Sequence, residues 1–373
     1  MLTDIQLKKT LELNSTPIVQ QTAFWSQVKN QLGQQSIAIN FKIKKSDLYL
    51  IDSNETIESD ILIILQQIDA NHTVAYVPYG PELEPNEELQ GEFLEELSES
   101  IRPYLPTNCV LIRYDLNWLS YWAKNEDDFD ENGIWKGPPE IRSQELRFNF
   151  NTHRWNFKKA PSNILPSNTI FIDLKKDNQQ LLKNMKPKTR YNIGLSERKG
   201  VNVKCIGLDK IDIWNQLYQE TALRNNLNLN DIKYFEVVLK AHLNNEADDT
   251  EVILMVAEFD KTPLAAMFLI ISKNRASYLY GASSSENRNL MATYALQWEA
   301  MQIAKSKACT EYDMFGVAPN PSPSHPMYGL YKFKIGFGGD LHHGIGCWDY
   351  PLDQKGYQYF CSLELSSKGY HLD

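Results

Sequence analysis

Strand-like and helix-like runs alternate along this chain from one end to the other, and that alternation restricts it to a mixed α/β architecture. In the first half, periodicity predicts a helix over Ala23–Leu32 and strands over Ser36–Lys42 and Leu48–Asp52. A helix near Asp60–Ala70, a strand at Thr73–Val77, a helix over Glu87–Tyr104 and a strand at Cys109–Tyr114 follow. The stretch Trp122–Pro161 is rich in Asn, Asp, Trp and Pro and reads as an insertion of short elements. A second series begins with a strand at Thr169–Leu174 and continues through helix Gln179–Lys199 and strand Val201–Ile206. Helices Ile211–Asn225 and Ile232–Leu243 come next, then strands Val252–Phe259 and Leu264–Ser272 about a hairpin turn at Asp260–Pro263. Strand Arg275–Gly281, helix Thr293–Lys307 and strand Glu311–Phe315 complete it. The two series are rough copies of one mixed unit without an exact sequence repeat.

At 373 residues, 42% hydrophobic and 23% charged, the chain reads as a soluble protein of two domains. No apolar run approaches a membrane span, and Ile61–Leu65 is at most a short buried element. The start, Met1 to Gln6, lacks a basic region followed by an apolar core, so no secretory signal is expected. Cys109, Cys205, Cys309, Cys347 and Cys361 are odd in number and scattered, as suits buried reduced thiols in a cytoplasmic protein and not a zinc site. A net charge of −9 argues against a general nucleic-acid coat protein. Acids crowd 82–99 and 126–131, whereas Lys183, Lys186, Lys188, Arg190, Arg198, Lys199 and Lys204 share one window with Glu197 as its only acid. Such a patch suits a polyanion at one face, and a solvated lysine-rich helix is the plainer alternative.

The segment Gly329–Gly339 packs four glycines, three aromatics and two lysines into eleven residues. Glycines let backbone approach a ligand, aromatics supply walls, and a lysine between them loses solvation and becomes useful for chemistry. The competing reading is a glycine-punctuated strand edge with Lys332 and Lys334 solvated. Within the basic window, Arg190 and Asn192 could meet a phosphate and a polar substrate edge, or Arg190 could pair with an acid of the other domain. Pro187 implies a kink or a helix restart. Asp115, placed at a strand end, could accept a proton from an amine, or form a buried pair with Arg113. The order Tyr278–Ser285, then Arg288–Thr293 and a long helix resembles the pyrophosphate cradle of acetyl-CoA-dependent N-acetyltransferases, with Met291 and Thr293 where small residues belong. His342 and His343 could form a ligand pair, but adjacent side chains point apart on a strand, so they read as loop polar groups.

Together, Phe24–Lys29, Val77–Pro81, Ile112–Asp115, Thr189–Ile193, Tyr278–Ser283, Tyr312–Gly316 and the Gly/Lys segment resemble the FemABX family of peptidoglycan-bridge aminoacyltransferases. The resemblance implies an α/β fold of two GNAT-like (acyl-CoA N-acyltransferase-like) domains with mixed twisted sheets. It places the domains at 1–165 and 166–346, with 347–373 returning to the first. It implies transfer of an amino acid from aminoacyl-tRNA to an amine of a UDP-linked or lipid-linked peptidoglycan precursor, with no cofactor and no stable membrane insertion. Lys334, after Phe333, matches the lysine that steadies the charged intermediate, and Asp115 a secondary acid. Lys29 matches a diphosphate-holding residue, and Tyr234 a tyrosine of the substrate site. Phe333, Arg190 and Tyr280 complete the expected binding set. Asn230 stands where an arginine lies in UDP-precursor members, and no coiled-coil arm follows Arg198. Two rivals remain: an N-acyltransferase using an acyl thioester, and a non-catalytic muropeptide or nucleotide-sugar binder.

Overall fold

The computed structural model describes residues 2–225, 230–244 and 248–366. The chain divides into two units, 1–167 with 343–373 and 168–342. The first contains β1 (Leu2–Lys8), α1 (Ala23–Gln31), β2 (Gln35–Lys44), β3 (Thr56–Asp69), β4 (His72–Pro78), α2 (Gln90–Ile101), β5 (Cys109–Leu119), α3 (Ile141–Phe148) and β6 (Lys158–Lys159). The second runs through β7 (Asn168–Asp173), α4 (Asn178–Asn184), α5 (Pro187–Arg198), β8 (Asn202–Ile206), α6 (Ile211–Asn225) and α7 (Ile232–Leu243). It continues with β9 (Glu251–Phe259), β10 (Thr262–Ser272), β11 (Arg275–Ser283), α8 (Ala292–Ser306), β12 (Glu311–Asp313) and α9 (Tyr328–Lys334). The chain then enters β13 (Asp340–Pro351) and α10 (Gln354–Ser366), which from His343 onward belong to the first unit.

Each unit repeats one motif, an antiparallel meander that ends in a strand, a helix and a parallel strand. In the first unit the order is β1-β2-β3-β4-β5-β13, with β4 and β5 parallel across α2. The second orders β7-β12-β11-β10-β9-β8, with β11 and β12 parallel across α8. Only a crossover helix can join adjacent parallel strands, so α2 and α8 must bury one face on their sheets. α2 does so with Phe93, Leu94, Leu97 and Ile101, and α8 with Leu296, Ala300, Met301 and Ala304.

Four expected elements differ. The helix near Asp60–Ala70 is instead β3, paired with β2 through ten registered residues. Ile61, Leu62, Ile63 and Ile64 are all buried because both sheet faces are covered there, which erases the alternation that marks a strand. The strand expected at Leu48–Asp52 is an irregular turn in which Leu50 takes a positive φ of 33°. His342 and His343 lie in β13 and not in a loop, with the His343 ring stacked on Trp135 at 3.9 Å. The expected helix Gln179–Lys199 is two helices, because Pro187 opens α5 as its first residue, the restart its ring demands. All five cysteines are free thiols, but Cys205 is exposed and Cys361 half-buried.

The first unit is closed by an ion cluster around Arg113. Arg113 is fully buried and grips Asp349 through two hydrogen bonds of 2.6 and 2.8 Å, not Asp115. Its remaining donors reach Glu364 of α10 at 2.6 and 2.9 Å, while its guanidinium lies over the Phe360 ring. Removing the cation leaves Asp349 buried and uncompensated. Arg113→Met should therefore lower unfolding free energy by about 3–5 kcal/mol, read as a lower midpoint in urea denaturation.

Candidate functional site

In the second unit, β11 and β12 pair through only three residues, Arg275–Ser277 with Glu311–Asp313. Beyond Ser277 the two strands part, and the side chain that fills the space next to Tyr278 is Lys334. The Gly329–Gly339 segment that carries it is not extended. It forms α9 and a 3₁₀ turn over Ile335–Phe337, so Lys332 and Lys334 cannot share a face. Lys332 is exposed and Lys334 is 4% exposed. Two of its glycines are required by close packing. A Cβ at Gly336 would collide with the Thr189 hydroxyl, and one at Gly338, whose φ is +80°, with the Asn184 carbonyl. The glycines let the segment lie flush against α4 and α5.

Lys334 Nζ donates to the carbonyls of Phe315 at 3.0 Å and Gly316 at 2.6 Å. Phe315 adopts a left-handed φ of 57°, which turns the exit of β12 so that both carbonyls face the amine. The Tyr278 ring lies 5.2 Å from Nζ. Burial pushes the ammonium down to about 7, against a smaller opposing pull from Asp313. Asp313 itself accepts from the Thr169 hydroxyl and the Phe315 amide, so it holds the turn that presents the carbonyls. Burial also pushes the Tyr278 hydroxyl up to about 12, leaving a neutral phenol beside the amine. Phe333 is occupied with the aromatic packing of the unit, 5.0 Å from Tyr294 and 5.3 Å from Phe337.

The expected binding set holds Tyr280 and not Tyr278, the tyrosine that lies beside Lys334. A β-bulge separates the two. Leu269 pairs with Tyr278 and Phe268 with Tyr280, so Leu279 is the extra residue and the two tyrosines face opposite sides. Tyr278 packs with Met267 and Leu269 beside α8, while Tyr280 joins Phe235, Phe268 and Tyr234 beneath α7. Tyr234 and Tyr280 share a 2.6 Å hydrogen bond. Thus Lys334 and Phe333 come together on one face, and Tyr234 and Tyr280 on the other. The amide of Asn230 reaches the Tyr218 hydroxyl at 3.4 Å.

The remaining candidates have local partners. Arg190 uses Nη1 to bond the carbonyls of Leu182, Lys183 and Met185, closing the C-terminus of α4, and among the described residues it has no acid partner. Asn192 is buried, and its Nδ2 has no partner among the described residues. In the first unit, Lys29 lies in the last turn of α1 with Nζ 5.1 Å over the Trp25 ring, and burial lowers its pKa. Asp115 is inside β5 and not at its end. Its carboxylate accepts from the Tyr76 hydroxyl at 2.9 Å and the Leu165 amide at 2.7 Å, and burial raises its pKa. At the entrance to α8, Asn287 and Met291 keep left-handed φ values of 50° and 56°. The amide of Ser285 in that loop is already bonded by Glu220 at 2.5 Å.

The FemAB family model matches residues 14–261 and 240–364. This chain belongs to the FemAB family. It is 24% identical over 298 residues to the lipid II:glycine glycyltransferase of Staphylococcus epidermidis, covering 64% of this chain and 70% of that one. To the enzyme of the same name from Staphylococcus saprophyticus it is 24% identical over 252 residues, covering 52% and 61%. The match therefore spans less than two thirds of the latter relative. The crystal structure of FemX superposes with a TM-score of 0.72 and 17% identity, over 96% of this chain and all of that one, a likeness of fold. Among the described residues no helix is long and apolar enough to cross a membrane.

The depressed Lys334 pKa has a thermodynamic signature. In the unfolded chain the amine stays protonated to about 10.4, whereas in the folded protein it releases its proton near 7. Unfolding thus takes up a proton between these values, and stability rises with pH across that window. Urea unfolding from pH 6 to 10 should show wild type gaining on Lys334→Met only above about pH 7, with parallel curves below it.

Proposed function

We propose that the chain is an aminoacyltransferase that moves an amino acid from aminoacyl-tRNA to an amine of a peptidoglycan precursor's stem peptide. Family membership and the named activity of the glycyltransferase relatives support the reaction class, and their lipid II substrate supports a cell-wall precursor as acceptor. The observation that carries the mechanism is the coordination of Lys334. An ammonium has three N–H donors, and two are committed to Phe315 and Gly316. The third remains for the reacting carbonyl.

An aminoacyl ester is already activated, so its transfer needs neither a metal nor a protein nucleophile. The acceptor amine attacks the ester carbonyl, a C–N bond forms, and the carbonyl oxygen becomes an oxyanion. Collapse breaks the ester C–O bond, and the proton lost by the amine ends on the departing ribose hydroxyl. Within this scheme Lys334 stabilises the oxyanion from a site poor in water, where one fixed charge counts most. Neutral Lys334 would instead give both hydrogens to the two carbonyls and present a lone pair, which suits a base and not an oxyanion. The bonding of Glu220 to the Ser285 amide, with Met291 at the helix entrance, weighs against a thioester cofactor seated on that loop.

Lys334→Ala should cost about 10²–10³ in turnover, measured by mass spectrometry of the precursor after incubation with charged tRNA. Because the active form is the ammonium, the wild-type rate should fall as pH rises above about 7. That alkaline limb should vanish in the variant. Transfer from coenzyme A thioesters alone would sink the reading, and a rate that only climbs through pH 7 would recast Lys334 as a base.

A further inference from the structure

We infer that the outer face of α5 is a stacking shelf for an unpaired nucleotide of single-stranded RNA, an inference that rests on the aminoacyl-tRNA reading above. α5 turns Thr189, Asn192, Ile193 and Ser196 inward. On the opposite side it shows Tyr191, 61% exposed despite its large apolar ring. Arg198, two helical turns later, folds its guanidinium back to 5.9 Å from the centre of that ring. It passes over Gly194, where a Cβ would stand 3.1 Å from Arg198 Nη1. A phenol ring and a planar cation thus lie side by side on an exposed helix face.

The surroundings narrow the occupant. Lys183, Lys186, Lys188 and Lys199 are exposed around the shelf, and Glu197 is the only acid in the window. A protein partner would need far more apolar area than one ring among cations supplies. A nucleobase needs one π face, and its phosphates need the lysines, so a single-stranded polynucleotide satisfies both demands. The shelf is also joined to the segment that bears Lys334. The Lys186 amide, at the start of α5, donates to the Gly336 carbonyl at 2.8 Å, two residues beyond Lys334. The 3′ end of an aminoacyl-tRNA is single-stranded and carries the reactive ester, which makes it the fitting occupant.

Fluorescence anisotropy with the full chain and a short 5′-labelled RNA ending in CCA tests the shelf at two salt concentrations. Tyr191→Ala should weaken binding about 10-fold with an unchanged salt slope, Tyr191→Phe should bind like wild type, and Lys188→Ala should reduce the slope by about 1. Arg198→Ala should weaken binding in the same direction as Tyr191→Ala. Thermal midpoints should match wild type, since both side chains are exposed. Equal affinity of Tyr191→Ala and wild type, or no RNA binding at all, would overturn the shelf. Parallel transfer assays separate it from the functional reading. Tyr191-dependent RNA binding without transfer from aminoacyl-tRNA supports the shelf and removes that reading. Transfer with an unchanged KM for aminoacyl-tRNA in Tyr191→Ala removes the shelf alone.

Discussion

The second unit is organised around a parting of two parallel strands. β11 and β12 hold together for three residue pairs and then separate, and the cost of an open seam in a buried sheet must be met by other groups. Lys334 meets it for the carbonyls of Phe315 and Gly316. A hydrophobic side chain would fill the same space but leave both carbonyls without a donor. A charged side chain satisfies them at the expense of its own solvation, and the low pKa of Lys334 is the measure of that expense. Packing and electrostatics are therefore the same fact here: the group that closes the seam is the group whose pKa is lowered by closing it.

Around this point the chain arranges support, with little left to chance. Asp313 fixes the turn whose carbonyls face Lys334, and the glycines of the α9 segment let it press against α4 and α5. Tyr294, Phe333 and Phe337 form an aromatic cluster that locks α9 on α8. The first unit uses a different device. Its parallel strands β4 and β5 stay paired from Thr73 to Pro78, and its buried charge is structural, Arg113 held between Asp349 and Glu364. One topology thus appears twice, with a seam opened in one copy and kept shut in the other.

Much of this was legible in the chain itself. Most helices and strands announce themselves by period, Pro187 marks a helix restart, and the Gly/Lys segment points to Lys334 before any coordinates. Other features are set by tertiary context. The core run of β3 is covered on both faces, which hides its strand period. Asp115 and Arg113 are neighbours in sequence, yet the guanidinium reaches residues 236 and 251 positions away. Period 2 would put Tyr278 and Tyr280 on the same side, and a single extra residue at Leu279 reverses that.

The sequence by itself determined the class of fold, the doubled α/β unit, the family, and the lysine most worth attention. These depend on local periodicity and on residue types in a fixed order, which a linear chain carries in full. Tertiary structure decided that the Gly/Lys segment is a helix and that Gly336 and Gly338 serve packing. It also decided that Arg190 caps a helix and that Tyr278, not Tyr280, stands beside Lys334. Those outcomes depend on strand register and desolvation, which arise only when segments distant in sequence come into contact.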